Sequence, residues 1–303
     1  MKKLLILGGS GYVGSSFVNN GINQNLTKHK INEIFIVSRK NKVIKKKYKH
    51  IKINYISKNI LNIKKLPQVD YVIYCLKHHN IRISENYFNH FNKLILKLSK
   101  KPKILFTSSG AVYGYNNKKI KNNENNEINL KLIRKLKGYK KKYAMEKIFI
   151  EKKFNDLTLQ KYNVSIARCY TFIGKEIIKY KYAVADLINL TLKKKIIKLK
   201  TSTNIYRSYM HSDDLVNWLI VILKNSNKEC PIYNVGSDKV INLKNLAKLF
   251  ARLFNNKISL KKITSKSYDY YVPSIARARK KLNLKISINL KDAINSTIKS
   301  LND

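Results

Sequence analysis

Tyr143 and Lys147 stand four residues apart, the spacing that puts two side chains on one face of a helix. A cation beside a phenol favours the phenolate and lowers the phenol's pKa. A tyrosine tuned in that way moves a proton on and off an alcohol or sugar hydroxyl near neutral pH. Such pairs arise easily in a chain with 20 tyrosines and 63 basic residues, and two more occur, Tyr48/Lys52 and Tyr115/Lys119. Tyr48 stands in a basic loop entering a strand, where residues four apart do not share a face. Tyr115 stands in an Asn/Lys-rich loop. Tyr143 alone lies in a segment that reads as a helix, 140–153. It alone follows a predicted strand ending in hydroxyl residues, Phe106-Thr107-Ser108-Ser109.

A second chemical feature opens the chain. Leu4-Leu5-Ile6-Leu7 is followed by Gly8-Gly9-Ser10-Gly11-Tyr12-Val13-Gly14 and an amphipathic segment. Glycines at a first strand-to-helix turn allow a tight bend and let backbone N–H groups approach a pyrophosphate. The position of this triplet within a βαβ pattern, more than the glycines themselves, predicts a dinucleotide site. The second predicted strand ends Ile36-Val37-Ser38-Arg39. An acidic residue there binds the ribose 2′-hydroxyl of NAD, whereas an arginine suits the 2′-phosphate of NADP. Ser38 and Arg39 therefore favour NADP, with NAD as the alternative.

The elements that must hold these residues follow from periodicity. Short apolar runs at 3–7, 33–37, 51–56, 70–75, 103–107 and 163–167 read as strands, and 12–20 and 87–98 between them as helices. That alternation predicts an α/β fold with a doubly wound parallel sheet. After Gly174 the pattern changes: helix 183–194, strand 196–199, helix 213–223, strand 231–235, helix 243–254. This predicts a smaller α+β substrate-binding part made of 175–204 and 241–303. Residues 1–174 form the nucleotide-binding domain, to which 205–240 return. Segment 116–129 reads as a mobile polar excursion near the active site.

The 303 residues suffice for a sizeable core. The longest apolar run, Trp218 to Leu223, is far too short to span a membrane. Cys75, Cys169 and Cys230 are widely spaced, with no CxxC, which predicts a reducing, cytoplasmic setting without disulfides or zinc. The net charge of +46 raises the possibility of a nucleic-acid partner. Only eight of the basic residues are arginine, however, the type suited to bidentate phosphate and guanine contacts. The lysines are spread along the chain, and their company of asparagine and isoleucine reflects AT-rich codons. A nucleic-acid partner is disfavoured, although such a field attracts phosphorylated substrates.

Several motifs together make the chain resemble an extended short-chain dehydrogenase/reductase of the NAD-dependent epimerase/dehydratase family, enzymes of nucleotide sugars such as UDP-glucose 4-epimerase. Gly8, Gly11 and Gly14 resemble the family's GxxGxxG, and Asn59-Ile60 its Asp-Leu or Asp-Ile beside the adenine. Ser108-Ser109-Gly110 resembles the motif whose hydroxyl, here Ser109, binds the reacting sugar oxygen. Tyr143 through Lys147, with Glu151 trailing, resembles YxxxK. Arg168 through Gly174 resembles RxxNxxG near the nicotinamide. Tyr206 through Leu215 resembles the segment whose arginine, here Arg207, clamps the diphosphate.

The resemblance implies a Rossmann domain. It makes Ser109, Tyr143 and Lys147 catalytic. Gly8, Gly11, Tyr12, Val13, Gly14, Ser38, Arg39, Asn59, Ile60, Leu76, Tyr143, Lys147 and Tyr170 would bind the cofactor. Ser109, Thr171, Asp186, Arg207 and Tyr271 would bind a nucleotide-diphosphate sugar. A homodimer through the YxxxK helix is also implied, with which apolar Ile148, Phe149 and Ile150 are compatible. There are departures: Thr171 replaces asparagine, Leu76-Lys77 replace two small residues, Asp186 is an anion near the diphosphate, and Lys200 to Thr203 lacks the usual glycines.

In the resemblance, 4,6-dehydratases carry Asp-Glu where this chain has Gly110 and Ala111, and the glutamate of decarboxylating relatives is absent too. That favours epimerisation through a transient ketone, or net reduction of a keto-sugar. Dehydration, decarboxylation and a catalytically silent nucleotide- or RNA-binding protein are the alternatives. Adjacent His78 and His79 lack an acidic cluster and read as structural or solvated. Cys169 reads as packing, and Glu124 and Glu127 as solvated.

Overall fold

The computed structural model describes residues 2–18, 26–39, 51–114, 119–199, 201–265 and 268–302. In chain order its first elements are β1 (Lys2–Leu7), α1 (Tyr12–Ser16), β2 (Ile31–Val37), β3 (Lys52–Ile56), β4 (Tyr71–Tyr74), α2 (Ile81–Ile95) and β5 (Lys103–Ser109). There follow α3 (Leu130–Lys135), α4 (Gly138–Asp156), β6 (Val164–Cys169), β7 (Phe172–Ile173), α5 (Ala183–Leu192), β8 (Ile197–Leu199), β9 (Asn204–Arg207) and β10 (Met210–His211). The remainder is α6 (Ser212–Lys224), β11 (Ile232–Val235), β12 (Ile241–Asn242), α7 (Leu243–Phe254), β13 (Ile258–Leu260), β14 (Tyr268–Tyr271), α8 (Ala276–Leu282) and α9 (Leu290–Asn302). Two compact units emerge: Met1–Gly114 with Ile128–Cys169 and Val216–Tyr233, and Tyr115–Glu127 with Tyr170–Leu215 and Asn234–Asp303.

The first unit is built on a seven-stranded sheet in the order β11-β6-β5-β4-β1-β2-β3. Every pairing among β1 to β6 is parallel. Leu4, Leu5, Ile6 and Leu7 of β1 are fully buried, as expected where helices cover both faces of a parallel sheet. The strand order reverses between β1 and β4, and ligands of such sheets bind beyond the carboxyl ends of the strands at that reversal. α2 and α4 pack over β4 and β5 through an aromatic cluster. Phe106 and Phe154 stack at 4.6 Å, and Tyr74 meets Phe91 at 5.2 Å and Phe154 at 5.0 Å.

Helix α4 carries the YxxxK segment and is unusual in what it buries. Ala144, Ile150 and Phe154 face the core, but so do Glu146, Lys147 and Glu151. Each buried charge needs a partner, because desolvating it alone is costly. Ile150 is buried in the core, whereas Ile148 and Phe149 are part-exposed, Phe149 packing in part against the same cluster. α2 begins at Ile81 rather than at residue 87, because the Asn80 side chain accepts from the Ile83 N–H at 3.2 Å and caps it.

The second unit holds a three-stranded sheet, β12-β9-β14, with β12 antiparallel and β14 parallel to β9. Small parallel pairs β13-β8 and β10-β7 complete it. The polar segment expected to be mobile is tied down where it is described. Asn122 bridges to Pro273, and its carbonyl accepts from Ser274 N–H at 2.7 Å and from the Asn234 side chain at 3.1 Å. Glu124, expected to be solvated, has a buried side chain. It accepts from Asn234 N–H at 2.8 Å and lies 4.0 Å from Arg277. A turn can be polar in composition and still be an internal brace when its acceptors meet backbone donors.

Candidate active site

The glycine loop is as tight as its spacing predicts. Gly8 has φ +97°, and a Cβ there would stand 2.9 Å from the Cys75 carbonyl oxygen. A Cβ on Gly14 would stand 2.5 Å from the Gly8 carbonyl oxygen. Only glycine fits at either position. Val37 carbonyl accepts from both Gly8 and Gly9 N–H at 3.0 Å, which binds the loop to the end of β2. Tyr12 and Val13 open α1. Ser38 N–H donates to Ile56 at 3.1 Å, and Arg39 beyond it is exposed. Asn59 caps the turn Ile60–Asn62 by accepting from Leu61 N–H at 3.2 Å, with Ile60 buried beneath. Leu76 follows β4 and packs on the core. The predicted cofactor residues of this unit thus gather at the carboxyl ends of β1, β2, β3 and β4.

The second group rises from α4 and the ends of β4 and β5. Lys147 is buried, with its Nζ 5.8 Å from the Tyr143 ring centroid and 4.8 Å from that of Phe106. The ammonium donates to the Thr107 carbonyl at 3.4 Å and stands 3.9 Å from Glu146 Oε2. Burial raises the Glu146 pKa, opposed by Lys147 and by the hydrogen bond that its Oε1 accepts from Ser84 at 3.0 Å. Ser109 ends β5, is buried, and its Oγ accepts from Ala111 N–H at 3.2 Å. Two residues outside the predicted site also reach Tyr143. The His79 ring lies 5.7 Å from that of Tyr143 and 4.3 Å from that of Tyr139. Lys77 Nζ lies 5.5 Å from the Tyr143 centroid. Cys75 and Cys169 are held protonated at neutral pH, their thiols pushed up to about 12 by burial.

One turn beyond Lys147, Glu151 ties α4 to the sheet. Its carboxylate accepts from Arg168 Nε at 3.0 Å and Nη2 at 2.7 Å, and from Ser108 Oγ at 2.5 Å. Arg168 also donates to the Tyr113 hydroxyl at 2.9 Å. Burial alone would lower the guanidinium's pKa, but the hydrogen bonds and charge of Glu151 raise it above its usual value. The trailing glutamate of the YxxxK segment is therefore an anchor. It fixes the helix to β5 and β6 next to Ser109.

In the second unit, Tyr170 meets Tyr271 with the rings tilted and their centroids 4.6 Å apart, and its N–H donates to Val235 at 2.9 Å. The Thr171 hydroxyl donates to the Ser208 carbonyl. Arg207 lies 5.8 Å over Tyr271 and is gripped by Asp269, through Nη2 to Oδ2 and Nη1 to the carbonyl, each at 2.9 Å. Asp186 is exposed in the first turn of α5, away from any described ion pair. Of the competing Tyr/Lys pairs, Tyr48 and Tyr115 lie outside the described residues. Lys119 stands 4.6 Å over the Tyr268 ring and 5.1 Å over that of Tyr206. Among the described residues no group of three or more His, Cys, Asp or Glu side chains could hold a metal, and no helix is long and apolar enough to cross a membrane.

The model of the NAD dependent epimerase/dehydratase family matches residues 4–236. The chain belongs to this family. No curated protein matches it significantly in sequence. Among solved structures it is similar to a UDP-glucose 4-epimerase from Thermotoga maritima determined with UDP-glucose, at a TM-score of 0.73 and 16% identity over 99% of this chain and 98% of that one. It is similar also to a UDP-N-acetylglucosamine 4-epimerase from Bacillus cereus (0.75, 15%, all of both chains). The Bordetella bronchiseptica enzyme WbmF, determined with NAD+, gives 0.75 and 17% over 99% of this chain and 92% of that one. At such identities the likeness establishes the family's fold.

The residues missed from sequence have a common cause. Lys77, His79, Glu146 and Arg168 meet their partners across element boundaries, and no spacing along the chain announces such a meeting. The one available signal was that Glu146, Lys147 and Glu151 sit at helix positions that also carry the apolar Ala144, Ile150 and Phe154. Charges on an inward face imply partners inside.

Proposed function

We propose that this chain is an NAD(P)-dependent nucleotide-sugar epimerase or 4-keto-reductase, with Tyr143 as the acid and base. The observation that carries the reading is the buried Lys147 ammonium beside the Tyr143 ring, on a helix anchored next to Ser109. Tyr143 would take the proton of a sugar hydroxyl as that carbon is oxidised and return it on reduction. Lys147 would favour the phenolate. Ser109 would hydrogen-bond the oxygen that alternates between hydroxyl and carbonyl. The cradle at Gly8 and Gly14, where a Cβ would collide with backbone, fits the close approach of a dinucleotide pyrophosphate. A nicotinamide bound there supplies the hydride acceptor and donor.

Arg39, exposed after β2 with no acidic residue beside it, supports NADP over NAD. In the second unit Arg207, oriented by Asp269, would meet the diphosphate, with Thr171, Asp186 and Tyr271 as further substrate contacts. WbmF is seen with NAD+, and the Thermotoga enzyme with UDP-glucose, which supports these two ligand classes here. The decisive experiment is mass spectrometry of the cofactor that purifies with the protein, followed by a panel of nucleotide sugars. Cofactor retained and recycled means epimerase, and stoichiometric NADPH consumption means reductase. Tyr143→Phe is expected to abolish turnover while leaving cofactor binding intact. Full turnover by that variant would sink the assignment. Arg39→Ala should weaken NADPH binding and spare NADH.

A further inference from the structure

Lys77 lies between β4 and α2, where the chain departs from its family's small residues. We infer that Lys77 is a second cation acting on Tyr143, so that the phenolate is favoured both from α4 by Lys147 and from the segment after β4 by Lys77. The inference rests on Tyr143 being the acid and base. The two ammonium groups stand at nearly equal distances from the ring centroid, 5.5 Å for Lys77 and 5.8 Å for Lys147. Their surroundings differ. Lys147 shares its charge with Glu146 at 3.9 Å, whereas among the described residues Lys77 has no carboxylate at ion-pair distance.

The other groups facing Tyr143 do not replace this charge. Tyr139, one turn back on α4, stacks with it at 5.9 Å and brings no charge at neutral pH. His79, at 5.7 Å, has its pKa lowered by burial and then by Lys77, His78 and Lys147, so its ring is neutral there too. Glu146, 3.9 Å from the Lys147 ammonium, partly offsets that charge. Lys77's own pKa is lowered by burial and by Lys147 and raised by Glu146. Its titration is therefore linked to those of Lys147 and Glu146. A unit charge at this distance moves a phenol by roughly half a unit to two units, depending on how much water intervenes. Lys77 works through Tyr143 and not on the substrate, which makes it a positioning residue.

The test uses Lys77→Met, which keeps the stem and drops the charge, and Lys77→Arg, which restores the charge. Tyrosinate absorbance is titrated in each protein and in the same protein carrying Tyr143→Phe, so that the difference isolates Tyr143. The Tyr143 midpoint should rise by about half a unit or more in Lys77→Met and return in Lys77→Arg. The lower limb of the kcat/KM pH profile should move with it. An unchanged midpoint in Lys77→Met, with native circular dichroism, overturns the inference. So does a lower limb that stays in place while Tyr143→Phe is inactive. If Tyr143→Phe retains full turnover, the catalytic reading falls instead, and the titration still decides whether Lys77 acts on the phenol.

Discussion

Helix α4 buries two acid–base pairs about one turn apart, and they are built to opposite specifications. Glu151 and Arg168 meet through two hydrogen bonds of 3.0 and 2.7 Å, with Ser108 and Tyr113 completing the set. Glu146 and Lys147 approach only to 3.9 Å, and Glu146 Oε2 has no hydrogen-bond partner among the described residues. A fully satisfied pair locks geometry and leaves little charge to act elsewhere. A loose pair leaves an ammonium whose field reaches its neighbours, here the Tyr143 ring. One pair positions the helix, and in the function proposed above the other conditions the phenol that the helix carries.

Substitutions should separate the two roles. Glu151→Met leaves Arg168 as an uncompensated buried charge and should cost about 3–5 kcal/mol in urea unfolding. Adding Arg168→Leu should recover much of that loss, because the desolvation penalty disappears with both charges. A single variant as stable as wild type would break the comparison. Lys147→Met should reverse the pattern, lowering kcat/KM about a hundredfold or more (~3 kcal/mol) with a smaller loss of stability, since Glu146 can take up a proton.

Smaller effects sharpen the contrast. Ser108→Ala should cost about 2 kcal/mol of stability, the worth of a hydrogen bond to a buried carboxylate. Ser84→Ala should cost about 1 kcal/mol, because the Glu146 that it leaves can be neutralised. The smallest effect is a slope. Burial raises the folded pKa of Glu146 above its ordinary 4.5, so the folded state holds the proton more tightly than the unfolded one. Wild type should therefore lose stability relative to Glu146→Gln as pH rises above about 4.5, levelling off once the raised folded value is passed. Urea midpoints of the two proteins across that range measure it, and parallel curves would show Glu146 unperturbed.

The glycine loop and the wound parallel sheet were legible because each is a local or periodic property. Gly8 must be glycine wherever β1 turns into α1 beneath β4, and alternating apolar runs imply a wound sheet. The start of α2 was less legible, because its first turn, Ile81-Arg82-Ile83, depends on a cap from Asn80 more than on apolar rhythm. Glu124 was misread because a polar turn that braces two distant segments has the same composition as one that solvates itself. Arg168 looked like part of a cofactor-side motif, and its pairing with Glu151 spans two elements.

By itself, then, the sequence determined the wound sheet, the tight turn at Gly8 and the shared helix face of Tyr143 and Lys147. All three follow from backbone geometry acting within a few residues, or from a repeating pattern of burial. Only the tertiary structure decided which charges on α4 are spent and which remain active. That depends on what β5, β6, α2 and the segment after β4 bring against the helix: Arg168 and Ser108 to Glu151, Ser84 to Glu146, and Lys77 to Tyr143. A charge's effect is set by its nearest partners in a dry interior, and those partners come from residues far apart in the chain.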